Sequence, residues 1–310
     1  MKILNLGELP QSLLERLAFE HDLYDLNIDK APITHLSERG GDYQAVVTNA
    51  ARGISNEQLG FLPNLSVISS YGVGLDKFDI EEIRRRNIAL GYTPDVLNDC
   101  VADAAFGLII DTMRQLSAAD RFVRRGDWSN KQKWPMTHKV SGQRLGLVGF
   151  GRIGRVIAKR ASGFDMDIRY HTRNPVNGFE NQFSKSLIEL AVWCDCLTVI
   201  CSGGSGTKNL INQAVLEALG PHSFLVNVSR GSVVEEPALL RALEARAIAG
   251  AGLDVFADEP NISTKFFDLE NVVLLPHIAS NTKQTRAAME KRVIENLNQF
   301  FMSGVLMSAA

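Results

Sequence analysis

Apolar positions along this 310-residue chain fall into short runs separated by stretches of helical spacing. That alternation predicts strand–helix units and parallel sheets. In the first third, "KILNL" from Lys2, "AVVTN" from Ala45 and "LSVISS" from Leu65 read as strands, with helices over "QSLLERLAFEH", "NEQLGFL" and "DIEEIRRRN". The pattern changes at Asp99. From there to Arg124 a single long helix is expected, with Val101, Ala105, Phe106, Leu108, Ile109, Met113 and Leu116 covering much of its circumference. A helix apolar nearly all round is buried on more than one side. Packing in a dimer and a central position between two domains each satisfy that condition.

After the loop "RRGDWSNKQKWPMTHKVSGQ", a second series of strands follows: "RLGLVG", "DIRYH", "CLTVI", "FLVNV", "AGLDVF" and "VVLLP". The closing helix, "TRAAMEKRVIENLNQFF", has no further strand behind it and is long enough to return to the first series. The expected fold is α/β, with two Rossmann-like or flavodoxin-like domains, parallel sheets and a cleft between them. An outer domain takes residues 1–98 and 285–310, and an inner domain takes residues 99–284.

Composition narrows the function. Net charge is −2 with Lys and Arg spread along the chain, which gives no general nucleic-acid surface. The start lacks a signal-peptide apolar region, and no 18-residue apolar run exists to span a membrane. Cys100, Cys194, Cys196 and Cys201 include one Cys-x-Cys but no second pair, a poor zinc signature, so no metal is expected. Reduced thiols in a soluble cytoplasmic protein are the simpler reading.

The chemistry begins at "GFGRIG". Gly149, Gly151 and Gly154 stand between a strand and a helix, with Phe150, Arg152 and Ile153 between them. The first glycine permits the tight turn, the second lets backbone approach a pyrophosphate, and the third allows helix to pack on strand, with the helix N-terminus facing the phosphates. This predicts a dinucleotide site, and the inner domain becomes the dinucleotide-binding one. An acid normally follows about twenty residues on, at the end of the next strand, to hold the ribose 2′-hydroxyl. Asp165 and Asp167 precede "DIRYH", and Asp167 would lie roughly 13 Å from the ribose at strand rise. The ribose position instead carries His171, Thr172, Arg173 and Asn174. Arg173 offers a charged planar fork for a 2′-phosphate, with Thr172 and Asn174 as hydrogen-bond donors. NADPH is therefore the expected cofactor, with NADH possible. A solvated turn whose arginine contacts nothing is the bland alternative.

Ligands of open parallel sheets bind beyond the carboxyl ends of the strands. Arg230 follows "FLVNVS", Glu259 follows "AGLDVFAD" and His277 follows "VVLLP". Hydride addition to a carbonyl leaves charge on oxygen that needs a proton, which His277 can give. A neighbouring carboxylate such as Glu259 favours the imidazolium, and Arg230 can pair with a substrate carboxylate and polarise the carbonyl. Each has a plain reading as a turn or surface residue; together they fit reduction of a 2-oxo acid.

"GFGRIG", "NVSRGSVVEEPAL", "AGAGLDVFADEPN", "NVVLLPHIAS" and, in the outer domain, "SSYGVGLDKFDI" resemble the successive motifs of the D-isomer-specific 2-hydroxyacid dehydrogenases over almost the whole chain. The resemblance implies a homodimer of two-domain subunits, an outer domain that binds substrate, and the roles above for Arg230, Glu259 and His277. It further implies that backbone N–H groups of Val73 and Gly74 hold the substrate carboxylate, and that Cys201, Val228, Ser229 and Asp254 line the cofactor. "YGVG" is otherwise only a tight turn, and Asp254 otherwise caps one. Two departures stand out: "CSGGSGT" after "LTVI", where the family often has proline, and the missing ribose acid. The second is similar to NADPH-using glyoxylate/hydroxypyruvate and hydroxyphenylpyruvate reductases. The expected activity is NADPH-dependent reduction of glyoxylate and hydroxypyruvate to D-2-hydroxy acids. The alternatives are an aromatic 2-oxo acid reductase and a dinucleotide-sensing binding protein similar to the C-terminal-binding-protein corepressors. Trp128, Trp134 and Met136 would either reach a substrate pocket or pack at the dimer interface.

Overall fold

The computed structural model describes residues 1–310, which divide into two compact units, Met1–Leu97 with Thr282–Ala310 and Asn98–Asn281. The first unit opens with β1 (Lys2–Asn5), α1 (Gln11–Glu20), β2 (Asp22–Asp25), α2 (Pro32–Arg39), β3 (Ala45–Asn49), α3 (Asn56–Gly60), β4 (Val67–Tyr71), α4 (Ile80–Arg85) and β5 (Ala89–Gly91). Its five strands are parallel in the order β2-β1-β3-β4-β5. Leu4, Val46 and Ile68 of the central strands pack with Leu59, Leu62 and Ile83 of the flanking segments in one core. Helix α3 starts at a capping box: Ser55 Oγ accepts from Gln58 N–H at 3.1 Å, while Gln58 Oε1 accepts from Ser55 N–H at 3.0 Å.

The second unit runs through α5 (Asn98–Arg114), α6 (Leu116–Arg124), β6 (Arg144–Val148), α7 (Arg152–Ser162), β7 (Asp167–His171), α8 (Leu187–Trp193), β8 (Cys196–Val199), α9 (Gln213–Leu219), β9 (Phe224–Asn227), α10 (Glu236–Glu244), β10 (Gly250–Leu253) and β11 (Val272–Leu274). The six strands are parallel in the order β11-β10-β9-β8-β6-β7. The chain then returns to the first unit as α11 (Lys283–Ser303), where Ser69 Oγ of β4 donates to the Val293 carbonyl at 3.2 Å.

The single helix expected over 99–124 is two. Gln115 takes a left-handed conformation at φ 53°, and Asp111 then accepts hydrogen bonds from the Ser117 N–H (2.8 Å) and hydroxyl, restarting the chain as α6. The burial of α5 is not all round, contrary to the expectation from sequence: Asp99, Asp103, Gly107 and Arg114 form an exposed stripe, and the buried positions are covered from two sides within its own unit. One side faces α7, with Phe106 4.7 Å from Phe164 and Arg160 paired to Asp99 and Asp103. The other lies on β10, where a Cβ at Gly252 would fall 2.5 Å from Thr112 Oγ1. No helix is long and apolar enough to cross a membrane, and all four cysteines are free thiols.

Candidate active site

In the second sheet β6 is flanked by β7 on one side and β8 on the other, so consecutive connections leave in opposite directions there. Such a switch point opens a crevice at the carboxyl ends. The glycine loop sits in it. Gly149 has φ 102°, and a Cβ on it would lie 2.7 Å from the Cys201 amide nitrogen beyond β8. A Cβ on Gly154 would lie 2.7 Å from the Gly149 carbonyl oxygen. Both glycines are thus demanded by the protein's own backbone. Gly151 is different. It caps α7 in extended backbone, at φ −78°, and a Cβ there would meet no protein atom within 4 Å. Nothing inside the chain requires glycine at that position, whereas an anion seated on the helix N-terminus does. The loop therefore fits a dinucleotide pyrophosphate.

The His171 carbonyl accepts from the Gly149 N–H at 2.9 Å, so the end of β7 adjoins the loop. Asp167 pairs with Arg144 at the opposite end of the same strands, and Asp165 lies in the preceding turn at φ 53°. His171 Nδ1 lies 2.9 Å from the Ser184 carbonyl, which it meets as an N–H donor, and the Thr172 hydroxyl donates to the Asn174 carbonyl at 2.6 Å. Thr172 is therefore committed to shaping the turn, not free to donate outward. Arg173 and Asn174 are exposed, and the Arg173 guanidinium pairs with nothing in the chain. Phe150, from inside the glycine loop, stacks on Tyr170 at 4.2 Å and anchors the loop to β7. Arg152 and Ile153 form the first turn of α7, the former exposed. Cys201 is half-buried, and burial pushes its thiol up to about 11.

Loops after β9, β10 and β11 bring Arg230, Glu259 and His277 together. Glu259 Oε2 accepts from His277 Nδ1 at 2.6 Å, and Oε1 accepts from the Phe256 N–H at 2.9 Å. Burial alone would raise the Glu259 carboxyl, but the His277 hydrogen bond, the Phe256 N–H and the charges of His277 and Arg230 hold it below the usual range. With Nδ1 engaged, Nε2 is the ring nitrogen left for a ligand. Arg230 Nη1 donates to the Ser229 carbonyl at 2.8 Å. The next residue, Gly231, admits no side chain: a Cβ would lie 1.9 Å from the Phe256 carbonyl, so the arginine and glutamate loops are wedged together.

Two residues support this cluster: Asn227, which was not foreseen, and Asp254, whose turn-capping alternative the structure takes up. Asn227, 1% exposed, accepts the Ser229 N–H at 3.1 Å and hydroxyl at 2.9 Å and donates to the Arg230 carbonyl at 3.1 Å. An Asn two residues before a Ser at a strand end is the turn signal that could have found it. Asp254 fixes His277. Its two carboxylate oxygens accept the N–H groups of Ile278 (2.7 Å) and Ala279 (3.0 Å), and its carbonyl accepts the His277 N–H at 2.9 Å. That holds His277 at φ 52°, a left-handed conformation uncommon outside glycine. Burial pushes the Asp254 carboxyl up, while the two backbone donors pull the other way. Between them, Val228 and Ser229 are buried at the end of β9.

In the first unit, Gly72 follows β4 with φ 142°, and the half-buried Val73 and Gly74 come next. Their N–H groups donate to nothing in the chain, so two successive amides stand ready for an anion. In the loop after α6, Trp134 lies edge-on to Phe122 at 5.1 Å, whereas Trp128 and Met136 are exposed.

Residues 106–279 match the family model "D-isomer specific 2-hydroxyacid dehydrogenase, NAD binding domain". A 2-ketogluconate reductase of Gluconobacter oxydans is 42% identical over 265 residues, covering 86% of this chain and 85% of its own. A hydroxyphenylpyruvate reductase of Plectranthus scutellarioides is also 42% identical, covering 86% and 84%. The crystal structure of an NADPH-dependent glyoxylate/hydroxypyruvate reductase from Sinorhizobium meliloti, in complex with NADP and malonate, is similar with a TM-score of 0.91. It is 36% identical, and the match covers 100% of this chain and 96% of that one. The chain belongs to the D-isomer specific 2-hydroxyacid dehydrogenase family and is an NAD(P)-dependent 2-oxo acid reductase.

Proposed function

We propose that this protein reduces small 2-oxo acids, glyoxylate and hydroxypyruvate foremost, to D-2-hydroxy acids with NADPH in preference to NADH. The observation that carries the reading is the 2.6 Å hydrogen bond from His277 Nδ1 to Glu259. It fixes the orientation of the imidazole ring and leaves Nε2 to deliver a proton. The nicotinamide, when bound, supplies the hydride. Arg230 binds the substrate carboxylate and polarises the carbonyl, and His277 Nε2 gives its proton to the oxygen on which charge develops. In the first unit, the uncommitted N–H groups of Val73 and Gly74 are assigned to the substrate carboxylate, which makes that unit the substrate-binding domain. The second unit is the dinucleotide-binding domain, with Gly149 to Gly154 on the pyrophosphate, His171 to Asn174 at the ribose, and Cys201, Val228 and Ser229 along the cofactor. Asp254 acts there through the turn it caps.

Support for NADPH comes from Arg173, exposed and unpaired at the end of β7, and from the NADP-bound relative of Sinorhizobium meliloti. Support for a homodimer comes from Leu116, Val123, Trp128 and Met136, four large apolar side chains exposed in α6 and the loop after it. Hydroxyphenylpyruvate is the second substrate class, favoured by the 42% identity to a hydroxyphenylpyruvate reductase. Steady-state kinetics of the wild type and His277→Gln with glyoxylate, hydroxypyruvate and hydroxyphenylpyruvate test the reading. The variant is expected to lose roughly 10²-fold or more in kcat. A near-normal rate removes His277 from the mechanism, and a higher kcat/KM for hydroxyphenylpyruvate overturns the substrate assignment.

A further inference from the structure

Beyond the groups assigned to ligand, the first unit contains a buried side chain bonded to the residue from which Val73 and Gly74 extend. Thr93 follows β5 and is completely buried. It grips one residue twice: its Oγ1 accepts the Gly72 N–H at 3.1 Å, and its own N–H donates to the Gly72 carbonyl at 3.0 Å. Gly72 is the residue from which the chain turns, at φ 142°, and it is pressed against the neighbouring loop so closely that a Cβ would lie 2.6 Å from Ala50 Cβ. Both peptide groups that set the direction of Val73 are therefore tied to a single threonine.

That threonine is itself immobile. Pro94 follows it and confines its backbone to extended conformations, and branching at Cβ restricts its rotamers. The preceding Tyr92 is held on both sides: its N–H donates to the Ser308 carbonyl at 3.2 Å, and its carbonyl accepts from Asn296 Nδ2 of α11 at 3.1 Å. Asn296 is fully buried. A continuous chain of hydrogen bonds thus runs from α11 through Tyr92 and Thr93 to Gly72.

We propose that Thr93 is a positioning residue that sets the Val73 and Gly74 amides at the geometry needed to hold the substrate carboxylate. This inference rests on the assignment of those amides to the carboxylate, made under the proposed function. Thr93 touches neither substrate nor cofactor. Its hydroxyl oxygen removes the freedom of the Gly72 peptide, so that substrate binding does not have to supply that ordering.

The test compares Thr93→Val, which keeps the shape and removes the acceptor, with Thr93→Ser, which restores it. Gly74→Pro, which deletes one of the two amide protons, completes the set. Thr93→Val is expected to raise KM for the 2-oxo acid about tenfold while kcat and the KM for NADPH stay within about threefold, the pattern of lost uniform binding. Thr93→Ser is expected to return KM to within about twofold of the wild type, which is what an oxygen-dependent role requires. A purely structural role gives a different result: a lower Tm and a kcat reduced with the active fraction, at unchanged KM, and that outcome overturns the proposal. If Gly74→Pro raises KM and Thr93→Val does not, the positioning role fails alone. If Gly74→Pro leaves KM unchanged, the carboxylate assignment itself fails. Should Thr93→Val not fold, Thr93→Ala also lacks the acceptor and carries the same comparison.

Discussion

Gly149 and Gly151 stand two residues apart in one loop, yet the structure assigns their glycines to different causes, and alanine at each separates stability from binding. At Gly149 an added Cβ meets the Cys201 nitrogen at 2.7 Å and its Cα at 2.8 Å, on a backbone at φ 102°. The backbone strain costs about 1–3 kcal/mol and the overlap a similar amount. A total near ~3 kcal/mol lowers Tm by roughly 6–12 °C in a folding unit of this size. At Gly151 the backbone is extended and the space is open. Alanine loses about 0.5–1 kcal/mol as a helix cap and regains about 0.4–1 kcal/mol through the less flexible unfolded chain, so Tm should move by no more than ~2 °C. The methyl group would, however, hold a pyrophosphate off the amides of α7. Losing one charge-assisted hydrogen bond, worth about 1.5–3 kcal/mol, raises the KM or Kd for NADPH roughly 10- to 100-fold. Thermal melts without cofactor and fluorescence titration with NADPH measure the two quantities independently. A Gly151→Ala protein that melts as low as Gly149→Ala, or that binds NADPH with wild-type affinity, refutes the argument.

Three further outcomes are expected. Arg173→Ala should change stability by less than ~0.5 kcal/mol because the side chain is exposed and unpaired, while lowering kcat/KM with NADPH at least tenfold and leaving NADH unaffected; equal losses with both cofactors count against a 2′-phosphate contact. The depressed Glu259 carboxyl contributes stability above its ordinary value of 4.5, and that contribution disappears as pH falls through its lower folded value. The gap in Tm between wild type and Glu259→Gln should thus be constant above about pH 5 and close on acidification; a gap that widens in acid contradicts the sign. Leu116→Glu combined with Val123→Glu should halve the mass measured by light scattering, and a wild-type protein that is already monomeric at micromolar concentration removes the dimer.

The elements legible in the sequence are those with strong periodicity. β8, β9 and β10 are short, fully buried runs, β6 is buried after Arg144, and α7 and α11 follow capping or glycine signals. What went unread lies at edges and breaks. β2, "DLYD", is a partly exposed edge strand whose polar residues give no alternation, and β5 is only three residues long. α2 buries a single side chain, Leu36. The break at Gln115 carries neither Gly nor Pro, and its cause, Asp111 capping Ser117, spans a turn that no local propensity records. At the site, the loop ends bearing Arg230, Glu259 and His277 were readable because chemistry-bearing residues end three strands. Asn227 was not, since it acts on backbone groups whose positions only the folded chain defines, whereas the turn cap at Asp254 was one of the two readings its motif offered.

The first unit is assembled from both ends of the described chain, and this orders events in time as well as in space. Strands β1 to β5 leave the ribosome early, but α11 follows about 190 residues later, a delay on the order of 10–40 s at ordinary translation rates. Until then the Ser69 hydroxyl and the Tyr92 carbonyl lack the α11 groups they bond, and the apolar surface that Val293, Ile294 and Leu297 will cover is open. The second unit is contiguous and meets no such wait. Nascent chains should therefore hold the first unit as an open parallel sheet for as long as the second is being synthesised.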